Sequence, residues 1–246
     1  VVKYLLRKQV KIFKYNNKHI GYIWYDESKI DNTLKNIYSM YFFDDFIELL
    51  DDKVLDFIKC NTLKLDIVEN ESISNLMKRL GFTIYSKTCL MKLIASKKPI
   101  EVKDGINFKH FIKNCDEKLR CDVQNEIFYD ENRVPLDTED IFDEEEQDYY
   151  INDFSVFLYV NNECAGYGQI ILSNDLYTIV NFGIIKKYRC CGYGQLLLNY
   201  LIELCRINQI EHVYIRVEKN NYKAVSLYNK VGFREYISYD TWYKCR

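Results

Sequence analysis

The chain has 246 residues, of which 48% are apolar and 28% charged, and its formal net charge is −2. Such a chain is globular, with one large domain or two small ones, and it is long enough to bury a core. The near-neutral charge excludes a protein recruited by its overall basic field, so we expect neither nucleic acid nor a membrane surface as partner. No run of eighteen apolar residues and no signal-peptide pattern is visible, and we expect a cytoplasmic protein.

The cysteines do not predict a metal site or a disulfide framework. They show no repeated C-x-x-C spacing, and only three histidines could join them as ligands. We therefore expect reduced, mostly buried thiols and no metal. The nine cysteines are Cys60, Cys89, Cys115, Cys121, Cys164, Cys190, Cys191, Cys205 and Cys245.

Two pairs of segments repeat along the chain. Residues 13–28 and 157–172 each combine alternating apolar residues, an Asn-Asn turn and a Gly-Tyr pair, a pattern that predicts a β-hairpin. Residues 63–82 and 213–233 each read as a strand, a turn and a helix that ends at Gly-Phe. The pairs occur in the same order, so we predict two tandem copies of one mixed α/β unit.

The copies are unequal in length. A proline and several lysines interrupt the pattern in residues 95–105, which predicts a boundary there, with units at 1–98 and 99–246. The first unit has a much shorter segment before its hairpin and is therefore expected to be truncated. It carries Asp44 and Asp45 near the position where the second unit has an arginine and two glycines, and an acidic pair there would repel an anion.

That arginine and glycine loop joins a strand to a helix. Residues 176–185 predict a buried strand, and the apolar spacing after the loop predicts an amphipathic helix with Leu197, Tyr200, Leu201, Leu204 and Cys205 on its buried face. Free backbone N–H groups at the start of a helix favour an anion, and Arg189 adds a charge. The alternative is a tight turn with a surface arginine.

The sequence motif of this loop can be compared with those of known phosphate-binding loops. The dinucleotide fingerprint needs a third glycine where Leu197 stands, and the Walker sequence Gly-Lys-Ser/Thr is absent. The stretch Arg189-Cys190-Cys191-Gly192-Tyr193-Gly194 instead resembles the R/Q-x-x-G-x-G/A pyrophosphate signature of the GNAT superfamily of N-acetyltransferases. The N-x-x-A-x-x-L-Y-x-x-x-G-F signature of the same superfamily is matched at Asn221, Ala224, Leu227, Tyr228, Gly232 and Phe233.

The resemblance covers roughly residues 100–246, and the first 95 or so resemble a degenerate copy of the same fold. It implies two acyl-CoA N-acyltransferase-like units, each a mixed, mostly antiparallel sheet flanked by helices. It also implies acetyl-CoA as co-substrate, with pantetheine along the strand edge at 182–184, where Gly183 would suit a bulge. Relatives often have glycine and a basic residue where Cys190 and Cys191 stand.

The resemblance implies one set of cofactor-binding residues. Backbone N–H groups near residues 192–195 would hold the pyrophosphate together with Arg189, and Asn221 would contact the coenzyme from the other wall. The full set is Phe182, Gly183, Ile184, Arg189, Cys190, Cys191, Gly192, Tyr193, Gly194, Gln195 and Asn221.

Tyr228 is the candidate general acid for the departing thiolate. With reference pKa values the proton transfer is uphill by about 2 kcal/mol, so an ordinary phenol could serve. Its helical spacing with neighbouring apolar residues also suits a packed core tyrosine, and Met77 occupies its place in the first unit. Glu218 and Asn181 could position a water that accepts the amine proton. Glu218 also suits a solvated strand end, because Glu69 occupies the matching place in the first unit.

Two further features have two interpretations each. Cys190 and Cys191 are either reactive thiols at a helix N-terminus or small residues that fill a loop. The acidic residues 137–150 either attract a cationic amine or form a solvated helix face.

Together these patterns predict an enzyme that transfers an acetyl group to a primary amine of a small molecule or peptide by direct attack. A non-catalytic acyl-CoA binding or sensing module and an interaction scaffold stay open as alternatives. The sequence leaves the amine and the oligomeric state undetermined.

Overall fold

A computed structural model describes residues 8–26, 33–95, 104–131 and 133–246, in which strands are the commonest regular element. The predicted boundary between residues 98 and 99 lies outside these ranges. In chain order the elements are β1 (Lys8–Tyr15), β2 (Lys18–Asp26), β3 (Leu34–Phe42), α1 (Asp44–Ile47), β4 (Thr62–Val68), α2 (Glu71–Arg79), β5 (Thr83–Ile94), β6 (Ile106–His110), α3 (Glu117–Ile127), α4 (Thr138–Glu145), β7 (Ser155–Val160), β8 (Glu163–Ser173), β9 (Leu176–Ile184), α5 (Tyr193–Ile207), β10 (His212–Glu218), α6 (Tyr222–Val231) and β11 (Arg234–Cys245). None of the helices in the described residues combines the length and apolar character needed to cross a membrane.

The chain divides into two compact units by its internal contacts. The first unit contains Val1–Cys89, Glu218–Asn220 and Ile237–Arg246, and the second contains Leu90–Val217 and Asn221–Tyr236. The C-terminal strand belongs to the first unit because β11 pairs with β4 in antiparallel register, from Tyr239 opposite Val68 to Cys245 opposite Thr62.

In the first unit the strands lie in the order β1-β2-β3-β4-β11-β5. The predicted first hairpin is confirmed, with Asn16 and Asn17 at φ 47° and 63°, the left-handed conformation that a two-residue hairpin turn requires. β3 and β4 run parallel, and the connection between them contains the four-residue α1. The core of this unit includes Ile23, Leu55, Leu63, Met77, Leu80 and Trp242.

In the second unit the order is β10-β9-β8-β7-β6. The second hairpin is also confirmed, with Asn161 and Asn162 at φ 49° and 67° between β7 and β8. β9 and β10 run parallel and pair at Thr178 with Tyr214 and at Ile179 with Ile215, so β9 continues beyond its pairing with β10. The crossover between these strands is the fifteen-residue α5.

The predicted amphipathic helix is confirmed as α5. Leu197, Leu201 and Cys205 are buried as expected, and Leu198 and Ile202 join them. Each leucine at this depth stabilises the fold by about 2 kcal/mol relative to exposure. Tyr200 and Leu204 stay half-buried, because the buried stripe is centred one residue away from the predicted one. The Tyr200 ring instead stacks on Phe108, with ring centroids 3.9 Å apart.

β9 contains a bulge, but Gly183 is not the bulged residue. The register with β8 shifts between the pairs Gly183–Tyr167 and Val180–Gln169, and the left-handed residue inside that shift is Asn181, with φ 51°. Glycine is needed at 183 for another reason, since a Cβ there would overlap the Cγ2 methyl of Ile127 at the end of α3. The expectation of a bulge at Gly183 is therefore wrong by two residues, and Gly183 is instead a point of close helix-to-strand packing.

This packing predicts different costs for two alanine substitutions. Gly183→Ala should lower the free energy of unfolding by about 1–3 kcal/mol, because the methyl group forces α3 away from β9. Gly194→Ala is the matched control: its Cβ would lie 3.4 Å from Leu227 Cδ2, an ordinary contact, and alanine favours the helix. Urea titrations of both variants measure the difference, and equal stabilities would contradict the packing assignment.

Candidate functional site

The loop before α5 has an unusual backbone. Cys190 and Gly192 both have left-handed φ, 64° and 84°, and Gly192 is the N-cap residue immediately before α5. Within the described residues no side chain caps this helix, and its first turn contains no acidic residue. A Cβ on Gly192 would meet nothing within 4 Å. The first N–H groups of this fifteen-residue helix therefore have no side-chain cap, which leaves them available to an anion such as a phosphate group.

Arg189 fastens this loop to the rest of the second unit. Its Nε donates to the carbonyl oxygen of Ile184 at 2.8 Å, and its Nη2 donates to the carbonyl oxygen of Ile127 at 2.8 Å. The side chain thus ties the end of β9 to the last turn of α3. Two of its N–H groups, and the Ile184 carbonyl, are engaged by these bonds, so pairing of Arg189 with a phosphate oxygen stays a prediction.

Cys190 and Cys191 are both exposed in this loop. Cys190 occupies a left-handed position, with φ 64°, which favours glycine over other residues. The Cys191 thiol lies 3.4 Å from the carbonyl oxygen of Arg189 and donates to it. All nine cysteines are free thiols, and across the described ranges no three His, Cys, Asp or Glu side chains are grouped to hold a metal ion.

Tyr228 is buried on α6 and faces β9. Only 6% of the residue is exposed, and its ring centroid lies 6.2 Å from that of Phe182 and 6.0 Å from that of Phe233. Burial raises the pKa of its phenol to about 12. The phenol is therefore protonated at neutral pH, but it is a weaker acid than the unshifted group that the sequence suggested.

Asn221 begins α6 as its cap. Its Oδ1 accepts a hydrogen bond from the backbone N–H of Ala224 at 3.2 Å, which satisfies one of the free donors of the helix. Asn70 does the same for α2 in the first unit, accepting from Ile73 N–H at 3.2 Å. The repeated asparagine therefore has a structural role in both units, and its amide nitrogen is not required by the cap.

Glu218 lies at the end of β10 with an exposed side chain, and residues 218–220 belong to the first unit. Glu69, its counterpart in the sequence repeat, accepts hydrogen bonds from Lys219 at 2.9 Å and Lys87 at 3.0 Å. These bonds, with that of Lys219 the stronger influence, lower the pKa of Glu69. Glu69 is thus a partner in an ion-pair network of the first unit.

The first unit has a cleft but not the features of an anion site. A cleft of about 520 Å³ lies between β3 and β4, and its lining includes Asp44, Asp66 and Glu69. Among the described residues that line it there is no arginine or lysine. The helix that follows β3 has only four residues and begins with Asp44 and Asp45, and Met77 is fully buried. Charge and helix length both disfavour a diphosphate here.

The sequence analysis missed a buried polar network in the second unit. Arg120 on α3 is 0% exposed, and its Nη2 donates to Glu144 of α4 and to Gln169 Oε1 at 3.0 Å. Gln169 Nε2 and Asn181 Nδ2 both donate to Glu144 Oε1, at 3.2 and 3.4 Å. The signal for it was a stripe of polar residues, Glu117, Arg120 and Gln124, at the helical spacing of a buried face.

Comparison with known proteins finds one family model that matches part of this chain. The model of the Acetyltransferase (GNAT) family matches residues 121–233. GCN5-related N-acetyltransferase 6, chloroplastic, of Arabidopsis thaliana is 37% identical over 62 residues, which are 25% of this chain and 22% of that protein. The match thus spans about a fifth of the length of that curated relative.

Solved structures show the fold. The GCN5-related N-acetyltransferase from Sphaerobacter thermophilus has a TM-score of 0.74 at 15% identity, covering 94% of this chain and 78% of that chain. The tandem GNAT protein from the clavulanic acid biosynthesis pathway has a TM-score of 0.66 at 10% identity, covering 97% and 83%. The family match supports the GNAT acetyltransferase superfamily, and these neighbours have a similar fold.

The two asparagine caps allow a comparison of the helix starts in the two units, because both have the same structural role but only Asn221 is a candidate contact for coenzyme A. Asn221→Ala and Asn70→Ala should each lower the free energy of unfolding by about 1 kcal/mol, because each removes one equivalent cap. Only Asn221→Ala should weaken coenzyme A binding in isothermal titration calorimetry, since Asn70 lies in the unit without the loop. Equal coenzyme A affinities in the two variants would remove Asn221 from the cofactor-binding set.

Proposed function

We propose that the segment from residue 99 to 246 is an acetyl-CoA-dependent N-acetyltransferase that transfers the acetyl group to a primary amine by direct attack. The observation that carries the proposal is the uncapped N-terminus of α5, open at Gly192, within a segment that matches the GNAT family. When bound, the coenzyme supplies an activated thioester, and the protein has to hold it and bring the amine to it.

The main chain is the proposed holder of the diphosphate. The N–H groups of Gly192, Tyr193, Gly194 and Gln195 lie in the first turn of α5, where the helix dipole adds a positive potential. The edge of β9 at Phe182 and Gly183 lies beyond its pairing with β10 and is the proposed contact for the pantetheine arm. Arg189 then acts by holding this loop and the end of β9 together.

Tyr228 is the proposed proton donor to the departing thiolate. With its pKa raised to about 12, donation to a thiol of ordinary pKa is uphill by about 5 kcal/mol, against about 2 kcal/mol for an unshifted phenol. The acid contributes less than positioning, which can supply the larger part of the acceleration.

We further propose that the two units are tandem copies, with a truncated first copy in residues 1–98. Both units have a hairpin with an Asn-Asn turn, a third antiparallel strand and then a parallel strand. The similarity to a tandem GNAT protein over 97% of this chain also supports it. The first copy, with α1 in place of the long helix, is proposed not to bind coenzyme A in this way.

Gly192 allows a charge test of the anion site with a matched control. Gly192→Asp and Gly192→Asn have the same shape and tolerate left-handed φ similarly, and each side chain would enter open space. We expect Gly192→Asp to weaken coenzyme A binding about 10-fold or more relative to Gly192→Asn, because a carboxylate would repel the diphosphate. Calorimetric titration with coenzyme A measures this.

The wild-type protein and the two Gly192 variants are also assayed for acetyl-CoA consumption with spermidine, kanamycin, L-lysine and a lysine-containing peptide. Turnover with at least one amine supports transfer. Binding of coenzyme A without turnover would favour the acyl-CoA sensing module. Failure of coenzyme A to bind or raise the melting temperature would favour the interaction scaffold and contradict the proposal.

Tyr228→Phe should lower kcat by about 10- to 100-fold with little change in coenzyme A affinity. Tyr159→Phe, which removes a hydroxyl from β7, is the control and should keep the wild-type kcat. Because the pKa of Tyr228 is about 12, its phenol stays protonated below that value, and it causes no loss of wild-type rate between pH 7 and about 10. A Tyr228→Phe variant with full turnover would exclude the acid role.

A further inference from the structure

A partly buried carboxylate lies at the bulge of β9, in the acidic stretch for which the sequence left open either attraction of a cationic amine or a solvated helix face. Glu144 lies in the last turn of α4, and 19% of its side chain is exposed. Asn181 Nδ2 reaches it at 3.4 Å, and Asn181 is the left-handed residue of the bulge. The next residue, Phe182, contacts the ring of Tyr228. Glu144 therefore contacts Asn181, whose neighbour in the sequence, Phe182, contacts the proposed acid Tyr228.

The carboxylate of Glu144 is held rigidly. Its Oε2 accepts from Arg120, and its Oε1 accepts from Gln169 and Asn181. Arg120 and Gln169 are both 0% exposed, so the partners are sealed in the interior and only Glu144 and Asn181 approach the surface. A carboxylate has about four acceptor positions, and three are used, which leaves one for a further donor.

Burial of the Arg120 guanidinium costs free energy, because it removes a charged group from water. Its guanidinium carbon lies 5.6 Å from the ring centroid of Phe111, 6.0 Å from that of Tyr150 and 5.3 Å from that of Tyr167. Its Nε and Nη1 have no hydrogen-bond partner within the described chain. An apolar residue of similar volume would fill the same space without leaving two buried donors unsatisfied, so core packing alone does not account for an arginine here.

Neighbouring carboxylates are not equivalent to Glu144. Glu145 is buried and lies 3.7 Å from Lys113, and its burial, the largest influence, raises the pKa of its carboxyl group. Glu146 is exposed and follows the helix end. Glu144 is the member of this run that is both fixed in orientation and directed to the bulge.

We infer that Glu144 binds a positively charged group of the acceptor, other than the amine that attacks the thioester, beside the bulge of β9, with Arg120, Gln169 and Asn181 as positioning residues. The inference rests on the proposed function and narrows its acceptor class to primary amines that carry a second cationic group. Glu144 forms an ion pair with the acceptor and takes no part in holding coenzyme A.

The test compares Glu144→Gln with Glu146→Gln, using the amine of the panel that has the highest kcat/KM. We expect Glu144→Gln to raise the KM for that amine about 10-fold or more, with kcat within about three-fold and coenzyme A affinity unchanged. Glu146→Gln should keep the wild-type KM. Because removal of Glu144 alone leaves Arg120 buried without its counter-charge, the double variant Arg120→Met/Glu144→Gln provides a second, charge-balanced background.

A raised amine KM in Glu144→Gln, or in the double variant where the single one does not fold, supports the inference. An unchanged KM in the folded variant overturns it, and so does an equal increase in Glu146→Gln, which would indicate general steering by the acidic stretch. Turnover confined to amines that lack a second cationic group also overturns it and leaves the proposed transferase intact, while coenzyme A binding without turnover of any amine contradicts both.

Discussion

The proposed diphosphate site depends on a few main-chain N–H groups at the start of α5 that have no partner inside their own helix. The N-cap residue of α5 is a glycine in left-handed conformation, so no side chain stands at the position where most helices are capped. The same glycine leaves open space in front of the first turn. An anion at this point satisfies the free donors and meets the positive end of a fifteen-residue helix dipole. The first unit has no comparable feature, because its corresponding helix is one turn long and begins with two aspartates.

The position of that helix start is set by contacts between α3, β9 and the loop. Gly183 lets Ile127 approach the strand, and Arg189 donates to the carbonyls of Ile127 and Ile184 on either side of that approach. The bulge at Asn181 lies on the same strand and directs its amide to Glu144. Short-range packing at one glycine is thus connected, through one arginine and one bulge, to both the proposed coenzyme side and the proposed amine side.

The sequence predicted what depends on local pattern. Asn-Asn turns specify the hairpins, and the apolar spacing after the loop specifies α5, because turn chemistry and helical periodicity act over a few residues. It could not predict that Arg189 donates to carbonyl groups, that burial raises the pKa of Tyr228, or that Arg120 donates to Glu144. Those outcomes depend on residues far apart in the chain, whose distances are set by packing. The bulge was misplaced by two residues because glycine marks close approach as well as irregular backbone, and sequence alone does not separate the two.

The most direct measurement of the central claim is a ¹⁵N-resolved NMR titration of the protein with coenzyme A and, separately, with pantetheine, which lacks the diphosphate. The account predicts that the amide resonances of residues 192–195 shift on addition of coenzyme A and stay in place with pantetheine. Shifts in both titrations, or shifts confined to β3 and β4 of the first unit, would contradict a diphosphate site at the start of α5.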